Sequence, residues 1–234
     1  DAAKSVTVDT VNDTLTLEHK GSVEYNTGVI NGWPHLLLQQ DFSGDSLVRV
    51  ADQKSLVMQM DYTVTACTAT NSTSSSAAQF VWYVTLQNRN KDSADYGQYM
   101  WFGILLYDNR NEGREIADYN QVDSGKADAT GVMIYQPGTE RWNPDTKTSP
   151  TVGQNVSLNF DILVTAEEAF NKIKQFYRDN ASTYFQNTTW EDLYIGSTNF
   201  GFEVSGSYDI GVKISNLGLI ASRNLNVLPA QNVQ

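Results

Sequence analysis

The feature that most limits what this chain can fold into is alternation. From Leu56 to Ala66 the side chains Leu56, Met58, Met60, Tyr62 and Val64 fall on every second position, with Val57, Gln59, Asp61, Thr63 and Thr65 between them. A period of two sends the two sets to opposite faces of an extended strand, a separation that a helix of 3.6 residues per turn cannot make. The split recurs in 79–87, where Phe80, Trp82, Val84 and Leu86 oppose Val81, Tyr83, Thr85 and Gln87. It recurs in 98–108, where Met100, Phe102, Ile104 and Leu106 oppose Tyr99, Trp101, Gly103, Leu105 and Tyr107. Residues 156–164 and 208–214 repeat it, and weaker strand signals cover 5–11, 15–20, 21–25, 36–42, 130–136 and 199–204. About ten strands of this kind predict an all-β antiparallel sandwich, a jelly roll of two face-to-face sheets.

One segment has a different period. Ala166, Ala169, Phe170, Ile173, Phe176 and Tyr177 follow helical spacing, and Thr165 with Glu168 has the form of a capping box. A helix over 166–178 is predicted, lying on the rim or the convex side of the sandwich. No Pro- or Gly-rich stretch divides the 234 residues, and the polar run Thr68–Ser76 reads as a loop, so the chain is expected to form one domain, 1–234.

Composition then narrows the partners. With 27 Asp and Glu against 16 Lys and Arg the net charge is −11, which repels nucleic acid, anionic membranes and acidic polysaccharides at long range. Lys172, Lys174 and Arg178 form one dense basic cluster, read as a solvated helix face. Apolar runs are too short to cross a bilayer. A single cysteine, Cys67, excludes an intrachain disulfide, and its place in an alternating strand reads as an inert thiol. Sequons at Asn12, Asn71, Asn155, Asn180 and Asn187 only slightly exceed chance. Abundant Asn, Thr, Ser and Tyr with low charge point to an extracellular or cell-surface protein, and the negative charge fits a neutral substrate better than an acidic one.

The closing stretch NFGFEVSGSYDIGVKISNLGL, Asn199 to Leu219, resembles the paired last strands of the concanavalin A-like lectin and glucanase superfamily of jelly rolls. That resemblance implies a sheet face used for sugars. Residues of mixed character on the second faces of the strands fit it: Gln59, Asp61, Tyr83, Gln87, Trp101, Tyr107 and Asn159 are the expected ligand-binding set. Arg110 would stand at the mouth of the cleft. Sugar C–H faces stack on aromatic rings while hydroxyls bond amides and carboxylates. The alternative for these aromatics is a second core, and for Arg110 an ion pair with Asp108 that ties down a loop.

Three functions remain open on the sequence. The first is a carbohydrate-binding domain. The second is a glycan-cleaving enzyme, either a hydrolase using Glu203 with Asp61 or a lyase using Tyr83 and His35 with Arg110. The third is an extracellular scaffold. The resemblance places an acid in a similar Phe-Glu context to that of Glu203 and expects a Glu nucleophile inside a central strand, where this chain offers Asp61 and Asp161. The jelly-roll alginate lyase strand YFKAGxY is absent. Glu112, Glu115, Asp118, Asp123 and Asp128 supply hard oxygens in spacing that matches no calcium motif, so the loop is read as solvated, with a structural calcium as the alternative and no cofactor expected.

Overall fold

In a computed structural model, which describes residues 3–24, 33–71, 76–124 and 129–224, the strands pair into two sheets. The first contains β1 (Lys4–Asp9), β2 (Thr14–Lys20), β5 (Gln53–Asn71), β10 (Asn155–Asp161) and β12 (Ser207–Arg223), in the order β1-β2-β12-β5-β10. The second contains β3 (His35–Asp41), β4 (Val48–Arg49), β6 (Ala78–Asn88), β7 (Tyr99–Asp108), β8 (Tyr119–Val122), β9 (Met133–Gln136) and β11 (Leu193–Val204). Its order is β3-β11-β6-β7-β9-β8, and β4 pairs with the start of β11. Neighbours run antiparallel except β7 and β9, whose parallel pairing sets Trp101 beside Ile134.

The apolar half of each alternating strand points between the sheets. Leu17, Met58 and Met60 from one sheet and Phe80, Phe102 and Phe202 from the other are completely buried in a single cluster. The Tyr62 and Phe80 rings meet across the gap, 5.5 Å between centroids. Each such side chain contributes roughly 1.5–3 kcal/mol by leaving water, so the alternation supplies most of the force that closes the sandwich.

Local sequence signals fail at four places. Residues 21–24 form a short helix, α1 (Gly21–Glu24), where a strand is expected. Gly21 packs so close to Tyr208 that a Cβ there would lie 2.7 Å from its carbonyl oxygen, and Ser22 binds the Asp209 carboxylate through both its amide and its hydroxyl. These contacts turn the chain out of the sheet. Residue Tyr25 lies outside the described residues.

The principal helix, α3 (Leu163–Asp179), starts before the capping box. Ile162 is held in the core as the strand ends, so the first turn forms at once, and the Asp161 carboxylate accepts from the Leu163 amide. Thr165 and Glu168 are therefore already inside the helix, and Glu168 pairs with Arg141 of the single turn α2 (Thr139–Trp142) at 2.9 Å. Ala166, Ala169, Phe170 and Ile173 are buried, closing one end of the core. The basic cluster also ties the helix down: Lys174 Nζ donates to the Thr188 carbonyl, and Lys172 Nζ stands 5.3 Å over the Tyr135 ring. The polar run at 68–76 is strand up to Asn71, paired with β12, and residues 72–75 lie outside the described residues.

The fourth departure has functional weight. In the β6–β7 ladder Val81 pairs with Leu105 but Phe80 pairs with Tyr107, so Leu106 is an extra residue in β7. Such a bulge reverses the facing of all residues beyond it. The Leu106 carbonyl accepts from the buried Tyr62 hydroxyl at 2.8 Å, which fixes the bulge from the opposite sheet.

Candidate functional site

The outward face of the seven-stranded sheet carries a cleft of about 230 Å³ to which each strand of the path β3-β11-β6-β7-β9-β8 gives a side chain. Its floor begins with a close approach in the middle of the sheet. Gly103 on β7 lies under the ring of its cross-strand partner Tyr83, and a Cβ at 103 would be 1.8 Å from the ring. Lacking that carbon, β7 lets the Tyr83 ring lie against its backbone. The Tyr83 hydroxyl accepts from Gln136 Nε2 at 2.6 Å. Burial, reinforced by the nearby negative charge of Glu203 and, more weakly, Asp123, holds its pKa well above the phenol range, so the hydroxyl keeps its proton.

Trp101 stands over this floor, edge-on to Tyr83 at 6.1 Å and to Tyr99 at 5.7 Å. With Trp33, Leu37 and Ile134 it forms the apolar walls. The polar groups come from β11 and from the end of β8. On β11, Asn199 and Glu203 face outward because Phe200 and Phe202 face the core. Glu203 sits between His35 of β3 and Gln79 of β6 in the register. From the other side of the cleft comes Asp123, whose Oδ2 accepts from both the amide and the hydroxyl of Thr130 at 2.8 Å. An apolar wall of tryptophans with two carboxylates and an amide is what a sugar needs for stacking and for hydroxyl bonds. Two carboxylates across one cleft are also the minimum equipment of glycoside hydrolysis.

A second cavity, of about 520 Å³, continues on the same face; Trp33 and Gln121 line both. Its far side contains Arg110, whose guanidinium makes two bonds to the buried Asp108, at 2.9 and 2.6 Å. Burial alone would raise the Asp108 pKa, but the bonds from Arg110 and Gln79 outweigh it and the carboxyl is lowered. The pair thus ties down the loop after β7 while one edge of Arg110 still borders the cavity.

The expected ligand-binding set divides. Tyr83 and Trp101 meet in the cleft, and Arg110 borders its extension. Gln87 shares the face but lies outside the cleft, its amide donating to the Gly97 carbonyl. Gln59, Asp61 and Asn159 are neighbours, as adjacent strands require, but on the outward face of the other sheet, with Asn159 opposite Gln59. They cannot share a ligand with Trp101, because the core lies between. Asp61 is bound by Ser157 and Asn216, which lower its pKa. Tyr107 is turned into the core by the bulge, and its hydroxyl donates to Glu112 at 2.7 Å.

These placements also correct two mechanisms. A hydrolase pairing Glu203 with Asp61 is excluded by the intervening core. In the lyase reading Arg110 must neutralise a substrate carboxylate, yet its charge is already matched by Asp108, and His35 is exposed on the edge strand β3.

Trp33, Gln121, Asp123 and Asn199 were not in the expected set. Of these, Asn199 was visible in the outward phase of β11, whereas Trp33 and Asp123 come from segments with no strand period. The acidic loop does not converge: Asp118 binds Tyr135, Gly138 and Arg141, Glu112 binds Tyr107 and Asp123 binds Thr130. Among the described residues no three His, Cys, Asp or Glu side chains gather to hold a metal, and Asp128 lies outside them. No described helix is long and apolar enough to cross a membrane.

No family model matches the sequence, and no curated protein matches it. Solved structures do. The chain is similar to a family 12 xyloglucanase from Bacillus licheniformis, with a TM-score of 0.53 and 14% identity over 93% of this chain and 85% of that one. A thermostable cellulase derived from that of Rhodothermus marinus gives 0.51 and 12% identity over 94% and 86%. A metagenome-derived glycoside hydrolase family 12 endoglucanase gives 0.50 and 13% over 94% and 86%. The likeness is one of fold, an antiparallel jelly-roll sandwich of two face-to-face sheets; the closing stretch, read as two paired strands, instead divides between the sheets, β11 in the seven-stranded one and β12 in the five-stranded one.

Proposed function

We propose that this protein is a glycan-cleaving enzyme, a hydrolase that binds a neutral polysaccharide along the outward face of the seven-stranded sheet. One observation carries the reading: Glu203 and Asp123 line the same cleft as Trp33, Trp101 and Tyr83. Glu203 is assigned to proton transfer at the glycosidic oxygen, and Asp123 to the opposite side of the sugar ring as base or nucleophile. The names of the structural neighbours, a xyloglucanase, a cellulase and an endoglucanase, support the choice of a neutral glucan, although a shared sandwich does not by itself fix an activity. A polymer of this kind lies outside the cell, which agrees with the extracellular character of the composition.

A second reading is a non-catalytic carbohydrate-binding domain. It is favoured by what β7 shows the cleft: Trp101 and Gly103, with Leu105 beyond them, and no carboxylate before Asp108 at the end of the strand, which is bound to Arg110. An array of neutral polysaccharides, scored for retention and for new reducing ends, separates the two. For the hydrolase, reducing ends appear and fall by roughly a hundredfold or more in both Glu203→Gln and Asp123→Asn. Retention without products, unchanged by those substitutions, would establish the binding domain in its place.

A further inference from the structure

We propose that Asn199 is a specificity residue of the cleft, which reads a sugar hydroxyl at a unit distinct from the one Glu203 acts on; this rests on the glycan reading above. Asn199 is 7% exposed and lines the cleft, yet its Oδ1 is a buried acceptor with no hydrogen-bond partner. Its cross-strand neighbours do not satisfy it. Tyr83 on one side is engaged with Gln136, and Gln39 on the other donates its amide to Asp41 at 2.9 Å. Of the other polar groups at the cleft, Gln121 accepts from the Tyr119 hydroxyl and Asp123 from Thr130. Asn199 therefore stands apart as an amide whose oxygen is kept from water and left without a donor.

Buried polar groups are nearly always paired, and those that are not concentrate where a ligand completes them. Asn199 lines the cleft with its Oδ1 buried, and a half-turn of the terminal amide would exchange Oδ1 with Nδ2 and present an acceptor to a sugar hydroxyl there. Its distance from the chemistry follows from the strand: Asn199 and Glu203 are four residues apart on one face of β11, about 13 Å at about 3.3 Å per residue. They therefore contact different units of the polymer. Asn199 fixes where the chain sits rather than taking part in bond breaking, and the preference it imposes is for a unit with a free hydroxyl at that point.

The test uses Asn199→Leu, which is near in volume and needs no hydrogen bond, placed on Glu203→Gln so that ligand is not consumed. Soluble xyloglucan and hydroxyethylcellulose are the probes, with affinity read by calorimetry and stability by thermal unfolding. The expected result is a midpoint that is unchanged or higher, because an unpaired buried acceptor has gone, together with an affinity roughly five- to tenfold weaker. A stable variant with unchanged affinity overturns the inference and leaves the glycan reading intact. Loss of stability and affinity together shows a structural amide and also overturns it. Absence of binding by the Glu203→Gln parent and by the wild-type chain removes both this inference and the proposed function.

Discussion

Gly103 and Tyr83 form the pair on which the cleft floor depends. A methyl at position 103 has no room without displacing the Tyr83 ring, which also carries the contact to Trp101 and the bond from Gln136. Gly103→Ala is expected to cost about 1–3 kcal/mol in urea unfolding and to abolish glycan retention on the array, since the displaced ring fills the cleft. Tyr83→Phe keeps the ring and removes only the hydroxyl, so its expected cost is about 1 kcal/mol with the floor intact. If Gly103→Ala proved as stable as wild type, the close approach would be wrong. At this scale the sequence was partly legible. Strict alternation placed Tyr83 and Trp101 on one outward face, because nothing interrupts the ladder between Val81 and Gln87. It misplaced Tyr107, since one extra residue at Leu106 reverses the phase and leaves no mark in the residue pattern. Asn199 lies on the face where an amide ordinarily meets solvent, so only its unpaired oxygen singles it out.

Elements are joined in this fold by a few polar hubs, and Asp118 is the densest. Its carboxylate accepts from the Tyr135 hydroxyl of β9, the Gly138 amide before α2, Arg141 of α2 and Lys172 of α3. Partial burial works to raise its pKa, but these donors prevail and bring it to about 2 from an ordinary 3.8. A carboxyl depressed on folding adds stability that is fully present above pH 3.8 and is lost as the pH falls through about 2. After allowance for solvent screening the contribution is about 1–2 kcal/mol. Wild type is therefore expected to lose that advantage over Asp118→Asn between about pH 4 and pH 2, measured by denaturant midpoints, and a constant difference across this window would refute it. The same region shows what local sequence conveys about elements. The existence of α3 was written in its period, but its start was set by Ile162 being held in the core, a tertiary fact. Likewise the strands were legible one by one, whereas the sheet each joins was not. Gln59 and Tyr83 have similar alternating surroundings and end on opposite outer faces of the sandwich.

For the molecule as a whole, charge and topology act together on what reaches the cleft. The net charge of −11 surrounds a site that itself contains Glu203 and Asp123, and Arg110, the cation at its extension, is matched by Asp108. A polymer carrying carboxylates would meet repulsion both at long range and at contact. A neutral one would meet neither, and its binding would depend on stacking against Trp33 and Trp101 and on hydroxyl bonds, interactions that salt screens little. Retention of a neutral glucan is therefore expected to stay level from about 20 mM to about 500 mM salt, over which the Debye length shrinks several-fold. A carboxymethylated form of the same glucan is expected to bind poorly at the low end and to recover as repulsion is screened. Affinity electrophoresis of the two polymers at both salt levels measures this directly. Tighter binding of the carboxymethylated polymer at low salt would mean that a local positive field overrides the global charge. In that case Arg110, and not the tryptophan walls, would govern ligand choice.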